Sequence, residues 1–355
     1  MTVAAKILGQ LPELRLDSLI VSALPNVRYL SGFTGSNAVL VIGGSRPVLF
    51  TDPRYTIQAQ EQAPECAVRI VRGSLFAAAL KLIARKKWRQ IGFEAGPIAY
   101  GSYGELHEGL TLGVELKATA GLVERYRMIK SEEEVALIRR AVETNSRAFA
   151  NCLKSVRPGM AESDLAAKLE YQMRLLGAEK AAFETIVASG QRSALPHAHP
   201  TSNPLKSGEL LLVDMGAVQA GYTSDMTRML HLGKPGAKAR ALYKAVLEAQ
   251  LAGVSAVRAN TTAGAVDRKT RQVLKAHGLE KKFVHSTGHG LGLEIHEAPR
   301  VGKKDATTLL AGMVITIEPG AYVEGFGGVR IEDTVLVTEN GCEVLTPTPK
   351  ELIVV

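Results

Sequence analysis

The sequence predicts an α/β (or α+β) protein built from two domains. A chain of 355 residues is longer than most single compact domains. In its first third, short β-favouring segments alternate with segments of helical spacing, which is typical of a small α/β domain. A new helix start at Ser131 then indicates a second domain. We therefore expect domains at residues 1–125 and 126–355.

Five strands and two helices are predicted in the first domain. Glycine, proline or aspartate bounds each of the β-favouring segments. The strands are expected at residues 18–22, 38–42, 48–50, 68–71 and 91–93. The helices are expected at residues 53–62, where Pro53 suits the first turn, and at residues 74–87.

A capping box marks the first long helix of the second domain. Ser131 is the expected N-cap, and Glu134 follows three residues later. This helix is predicted to end at Val156, because the sequence Pro158-Gly159 cannot continue it. Later helices are expected at residues 163–176, 238–257 and 263–277, with strands between them from residue 185 onwards.

Composition and charge argue against membrane and nucleic-acid partners. The apolar fraction is 46%, yet no apolar run reaches the 18 to 20 residues of a membrane span. Residues 1–10 do not form a signal-peptide pattern, and the three cysteines are widely spaced, so we expect a cytoplasmic protein. The net charge is +8, but the dense basic cluster at residues 85–89 suits the solvated end of a helix.

Four acidic residues of the second domain adjoin strand-like segments rich in β-branched or apolar residues. They are Asp214, Asp225, Glu318 and Glu332. Any one of them could meet solvent or an arginine at the end of a strand. Four in one domain are harder to explain in that way, because a buried carboxylate is unfavourable unless it is paired or bound to a metal.

A glycine-rich segment at residues 285–297 supplies histidines, among them His289. Its glycines would allow close approach of the backbone to a metal or substrate. Their spacing does not match a phosphate-binding loop, and Arg300 stands where a HExxH zinc motif would need its second histidine. Four carboxylates and one imidazole suit two divalent ions such as Mn²⁺ better than one tetrahedral zinc.

These residues resemble those of the metallopeptidases with the pita-bread fold, specifically the Xaa-Pro branch that contains aminopeptidase P and prolidase. Segments 26–36 and 51–55 are similar to the N-terminal domain of that family. The resemblance covers essentially the whole chain and implies a creatinase-like N-terminal domain followed by a pita-bread catalytic domain. It also implies that two divalent metal ions, Mn²⁺ with Co²⁺ or Zn²⁺ as alternatives, are bound by Asp214, Asp225, His289, Glu318 and Glu332.

The same resemblance implies roles for residues around the ligands. Glu318 is expected to act as general base, whereas His197 and His296 are expected to stabilise the tetrahedral intermediate or to protonate the leaving nitrogen. Arg330 is expected to hold an aspartate or a bridging group. Tyr222 is expected to line the pocket.

The expected reaction is hydrolysis of the peptide bond before proline, with proline-containing peptides as substrates. Segments 32–36 and 51–55 favour an aminopeptidase P, whereas Arg300, as an anchor for a carboxylate, would favour an Xaa-Pro dipeptidase (prolidase). We expect the aminopeptidase first and the dipeptidase as its alternative; a non-catalytic binding module on the same fold is a third reading. The resemblance also implies a homodimer.

Overall fold

The computed structural model describes residues 2–355, and the chain divides between Arg127 and Met128 into two units. This division lies two residues beyond the boundary expected after residue 125.

The first unit consists of helices around a six-stranded sheet. Its helices are α1 Val3–Gln10, α2 Leu24–Ser31, α3 Thr56–Gln62, α4 Leu75–Lys86, α5 Tyr100–Glu108 and α6 Glu124–Arg127, with a 3₁₀ helix at Pro53–Tyr55. Its strands are β1 Ser18–Val21, β2 Ala38–Ile42, β3 Val48–Thr51, β4 Ala67–Ile70, β5 Gln90–Glu94 and β6 Glu115–Thr119. The strand order is β4-β3-β2-β1-β5-β6, and β2 is antiparallel to both of its neighbours. The five predicted strands and both predicted helices are therefore confirmed.

Both faces of this sheet are buried. Successive residues of β1 point to opposite faces, so Leu19 and Val21 pack in one hydrophobic cluster and Ile20 packs in another, which includes Ile83 of α4. The side chain of Ser74 accepts a hydrogen bond from the Ala77 amide and so caps α4 at its N-terminus. Burial on both faces is typical of a mostly parallel sheet with helices on either side.

The second unit contains the longer helices. These are α7 Glu132–Leu153, α8 Glu162–Leu175, α9 Ala237–Ala256 and α10 Ala263–Ala276, with 3₁₀ helices at Gly190–Ala194 and Glu280–Lys282. The capping box of α7 is confirmed, because Ser131 accepts from the Glu134 amide and the Glu134 side chain accepts from the Ser131 amide. The helix ends at Leu153, three residues before the predicted end.

The strands of the second unit form two larger and two smaller sheets. They are β7 Lys180–Ala181, β8 Ile186–Ser189, β9 Leu210–Met215, β10 Ala217–Gln219, β11 Tyr222–Thr223, β12 Met226–His231, β13 Gly288–Gly290, β14 Glu297–Val301, β15 Val314–Ile317, β16 Gly320–Val323, β17 Gly327–Arg330, β18 Asp333–Val337, β19 Cys342–Val344 and β20 Ile353–Val354. The larger sheets have the orders β20-β12-β9-β8 and β14-β13-β15-β18-β19. Within residues 2–355, none of the helices combines the length and the apolar character needed to cross a membrane.

Candidate active site

Two of the predicted acidic ligands come from neighbouring strands. Asp214 lies in β9, and Asp225 directly precedes β12. The two strands are antiparallel, with Thr227 opposite Asp214 in the register. This pairing brings both aspartates to the same end of the four-stranded sheet, where each is buried.

The other two acidic ligands come from the five-stranded sheet. Glu318 directly follows β15 and Glu332 directly precedes β18, and these strands are also paired. Thr227 joins the two sheets, because its hydroxyl donates to Glu332 Oε2 at 2.7 Å and its carbonyl accepts from the Glu332 amide. Glu332 is thereby fixed beside the strand that Asp225 precedes.

His289 completes this group of side chains. One ligand atom from each of Asp225, His289 and Glu332 lies within 4.8 Å of the other two. His289 Nε2 is 3.6 Å from Asp225 Oδ2 and 3.5 Å from Glu318 Oε1. The other ring nitrogen, Nδ1, lies 3.0 Å from the Gly290 carbonyl, which only a protonated Nδ1 can satisfy. This tautomer leaves the Nε2 lone pair directed at the carboxylates.

Gly288 allows the histidine strand to approach β15. A Cβ atom at Gly288 would lie 1.9 Å from the Thr316 carbonyl oxygen, so no larger residue fits without displacing the backbone. The Thr316 hydroxyl accepts a hydrogen bond from the His289 amide at 3.1 Å. This glycine is therefore required for packing between strands, whereas the sequence predicted that such glycines approach a metal or substrate.

The electrostatics of the cluster favour neutral side chains in the metal-free protein. Burial, followed by repulsion from neighbouring carboxylates, raises the pKa of Asp225 and of Glu332 well above the usual range. Burial also raises the pKa of Glu318 to about 8, and it lowers the pKa of His289 to about 4. A bound cation would reverse the preference of the carboxyl groups for protons.

The donor set fits divalent metal ions. Asp214 Oδ1, Asp225 Oδ1 and Glu332 Oε1 are buried, and none has a hydrogen-bond partner within residues 2–355. Buried carboxylate oxygens without partners are unfavourable, and a metal ion would satisfy them. Four carboxylates with one imidazole are the ligands preferred by hard or borderline ions.

Arg330 binds the carboxylate of Asp214. Its guanidinium donates to Asp214 Oδ2, to the Thr227 hydroxyl at 3.1 Å and to the Tyr322 hydroxyl at 2.7 Å. The geometry agrees with the expectation that Arg330 holds an aspartate. Tyr322 was not predicted from the sequence, and its hydroxyl also lies 2.8 Å from His285 Nε2.

A cavity of about 610 Å³ opens over the acidic cluster. His197, His296 and Arg300 line it, together with the five predicted ligands and apolar side chains that include Phe183, Ile186 and Ile295. The ring of His296 lies edge to face with that of His289, with 4.4 Å between the ring centroids. Burial and repulsion from His197 lower the pKa of His296. Both histidines that were expected outside the ligand set therefore line the same cavity as the five predicted ligands.

Tyr222 does not line this cavity, which contradicts the expectation from the sequence. Its ring is buried against Val135 and Leu291, and its hydroxyl donates to Glu134 Oε1 of α7 at 2.8 Å. Residue 222 precedes Asp225 by only three positions, but the intervening residues leave β11 and turn towards β12. Tyr222 therefore packs the helix against the sheet.

Two family models match the chain. The model described as Metallopeptidase family M24 matches residues 136–339, and the model of the Creatinase/Prolidase N-terminal domain matches residues 4–129. The chain belongs to metallopeptidase family M24. The predicted fold class, a creatinase-like domain followed by a pita-bread catalytic domain, is confirmed for this M24 enzyme.

Several relatives of this M24 metallopeptidase match it over nearly their whole length. An Xaa-Pro dipeptidase of Pyrococcus furiosus is 37% identical over 350 residues, which cover 98% of each chain. The structure of an Xaa-Pro dipeptidase from Bacillus anthracis has a TM-score of 0.96 and 38% identity, with 99% of each chain covered. The structure of an X-Pro aminopeptidase from Thermotoga maritima has a TM-score of 0.91 and 34% identity, again with 99% of each chain covered.

Proposed function

We propose that this M24 metallopeptidase is an Xaa-Pro dipeptidase, which hydrolyses the bond before a C-terminal proline. The sequence alone favoured an aminopeptidase P. The relatives favour the alternative, because the Xaa-Pro dipeptidases of Pyrococcus furiosus and Bacillus anthracis are 37% and 38% identical to this chain, whereas the X-Pro aminopeptidase of Thermotoga maritima is 34% identical. The guanidinium of Arg300 in the cavity supports the same choice.

The observation that carries the proposal is the free guanidinium of Arg300. This side chain lines the cavity, and Arg300 pairs with His289 in the register of β13 and β14. Within residues 2–355 its guanidinium takes part in no hydrogen bond or ion pair, although six carboxylates line the same cavity. A proline at the C-terminus of a dipeptide carries a carboxylate, for which the planar guanidinium is a suitable partner.

The proposed ligands are those predicted from the sequence, and Mn²⁺ is the proposed metal. Divalent ions held there would supply a Lewis acid for the scissile carbonyl and a nucleophile from water at neutral pH. Glu318 is the proposed proton acceptor. Its side chain is 16% exposed, compared with 10% for Asp214 and 6% for Asp225, so it is the most accessible of these three carboxylates from the cavity.

His197 and His296 are proposed to act on the substrate from the open side of the cavity. An imidazole there can donate a hydrogen bond to the developing oxyanion, or a proton to the leaving nitrogen. The proline nitrogen lacks an N–H group, so the site must accept a ring and a tertiary amide. Apolar walls at Phe183, Ile186 and Ile295 suit that ring.

The test compares three substrates that differ at one end. A Mn²⁺-supplemented assay would measure kcat/KM for an Xaa-Pro dipeptide, for its C-terminal amide and for an Xaa-Pro-Yaa tripeptide. We expect the dipeptide to be the best substrate and the amide to be poorer, because the amide lacks the charge that Arg300 would bind. Faster hydrolysis of the tripeptide and of the amide would identify an aminopeptidase P.

The variant Arg300→Ala links this preference to one residue. It should lower kcat/KM for the dipeptide about 100-fold, the loss for a hydrogen bond to a charged group of about 3 kcal/mol, and it should change that for the amide little. Lys303→Ala is the matched control, since Lys303 is exposed on the same segment and does not line the cavity.

A homodimer stays a prediction, and light scattering that finds only monomer at micromolar concentration would contradict it.

A further inference from the structure

Glu162 is a buried carboxylate outside the cavity that none of the sequence patterns singled out. It is the first residue of α8, and its side chain is fully buried. An acid in the first turn of a helix usually faces solvent or the free amides of its own helix. The Glu162 carboxylate is instead turned to a different segment of the chain.

Three residues surround the Glu162 carboxylate, and all of them belong to the segment 189–201, here called the 189–201 loop, which starts at the last residue of β8 and includes a 3₁₀ helix. Ser189 donates from its amide at 2.8 Å and from its hydroxyl at 3.2 Å. Thr201 donates from its amide at 3.2 Å and from its hydroxyl at 2.9 Å. Arg192 forms an ion pair with Glu162 through Nε at 3.0 Å. One carboxylate thus binds both ends of the segment from residue 189 to residue 201.

His197 lies between these two ends. Arg192 also donates to the His199 carbonyl at 2.6 Å, and Arg330 donates to the Pro196 carbonyl at 3.2 Å. The residues on either side of His197 are therefore held by two guanidinium groups, one tied to Glu162 and the other to Asp214. The exposed imidazole of His197 depends on this loop for its position over the cavity.

We propose that Glu162 is a positioning residue for His197, because its buried charge closes the 189–201 loop and so aims the imidazole at the acidic cluster. The inference rests on the proposed function, in which His197 acts on the substrate. Charge matters here as well as shape. The Glu162 carboxylate accepts from all five of these donor groups, whereas an amide of the same size would direct its own N–H groups at some of them.

The test is a double-mutant cycle between Glu162→Gln and His197→Ala. In the wild-type background, Glu162→Gln should lower kcat about 10- to 100-fold, the usual effect of removing a partner that orients a functional side chain. Bound Mn²⁺ should stay at the wild-type level. In the His197→Ala background, the same substitution should lower kcat no further, because no imidazole is left to position. An equal loss in both backgrounds would overturn the inference.

A second measurement does not depend on activity. Hydrogen exchange of the amides of Ser189 and Thr201 should be faster in Glu162→Gln, because both donate to the lost charge. Asp164→Asn is the matched control, since Asp164 is an exposed acid in the first turn of the same helix and should leave exchange and kcat unchanged. Unchanged exchange in Glu162→Gln would overturn the inference.

Two further results separate this inference from the proposed function. A wild-type protein that hydrolyses no Xaa-Pro peptide would contradict the proposed function, and exchange would still decide whether Glu162 holds the loop. If Glu162→Gln does not fold, Thr201→Val removes a single donor and should reproduce a smaller loss of kcat that again disappears with His197→Ala. Persistence of that loss without His197 would count against positioning.

Discussion

His289 Nε2 lies 3.5 Å from Glu318 Oε1, and burial favours the neutral form of both side chains when no metal ion is bound. Burial lowers the pKa of His289 to about 4 and raises that of Glu318 to about 8. Between these values the imidazole and the carboxyl group are both neutral. The carboxyl groups of the cluster therefore bind protons that a metal ion must displace.

The first prediction is that the metal-free protein loses stability as the pH rises above neutrality. A carboxyl group whose pKa is raised by folding binds more protons in the folded state, so the free energy of unfolding falls with increasing pH. For Glu318 this contribution is complete below the ordinary value of 4.5 and is lost as the pH passes about 8. Thermal unfolding after chelation should show a lower Tm at about pH 8.5 than at about pH 7.

Loading with Mn²⁺ provides the control for this experiment. Contributions to stability that do not depend on the metal cancel in the difference between the loaded and metal-free proteins, so this difference isolates the acidic cluster. We expect that difference in Tm to widen with pH, because the ion replaces the protons. A difference that stays constant from about pH 7 to about pH 8.5 would show that the carboxyl groups are already ionised.

The second prediction concerns Asp225. Asp225→Asn keeps the size of the side chain but removes a negative charge that two cations need. We expect a fall of at least about 100-fold in turnover, together with loss or displacement of metal measured by elemental analysis. Near-normal turnover with two bound metal ions would show that Asp225 is not a ligand.

The candidate ligand residues could be proposed from the sequence because each has a local signal. Asp214 ends an apolar strand, and His289 lies in a segment rich in glycine and histidine. The helix α4 was predicted for a similar reason, since its N-cap, its apolar spacing and its basic end are all local. Such signals depend on neighbours within about one turn of a helix or a few strand residues.

Features that depend on distant residues could not be found in this way. The helix α2 was missed, and the residue at its N-cap, Ala23, makes no side-chain capping hydrogen bond. The amides of Ser22 and Ala23, which directly precede the helix, are instead bound by Glu94, more than 70 residues away in the chain. Tyr322 was also missed, because the partners of its hydroxyl, His285 and Arg330, are not its neighbours in sequence. Tyr222 was assigned to the pocket, although its ring packs against α7. Nearness in sequence to Asp225 did not determine on which side of β11 the ring lies.

The third prediction is that His197→Ala and His296→Ala separate catalysis from metal binding. Both side chains line the cavity, and neither belongs to the five ligands predicted from the sequence. Each substitution should lower kcat about 100-fold, the low end for a positioned acid or hydrogen-bond donor. Metal content should stay at the wild-type level, and stoichiometric loss of metal in either variant would place that histidine among the ligands.

The fourth prediction concerns Tyr322, whose hydroxyl joins Arg330 to His285. His285 Nδ1 lies 2.8 Å from the Ser286 carbonyl and must donate to it, so Nε2 accepts from the tyrosine hydroxyl. The same hydroxyl accepts from Arg330, which in turn holds Asp214. Tyr322→Phe would remove the hydrogen bond at part-buried His285 Nε2 and one of the two made by Arg330 Nη1, at a cost of about 1 to 3 kcal/mol in the free energy of unfolding.

The affinity for metal should show, independently of stability, whether Tyr322→Phe alters the orientation of Asp214. Loss of an orienting partner behind a ligand lowers affinity about 10- to 100-fold, so a calorimetric titration of Tyr322→Phe with Mn²⁺ should show weaker binding of that size. Tyr171→Phe removes a hydroxyl from a side chain that is 62% exposed on α8, and it should change neither stability nor affinity. If Tyr322→Phe loses stability but binds Mn²⁺ as the wild type does, the hydroxyl supports the fold of β16 and does not orient Asp214 through Arg330.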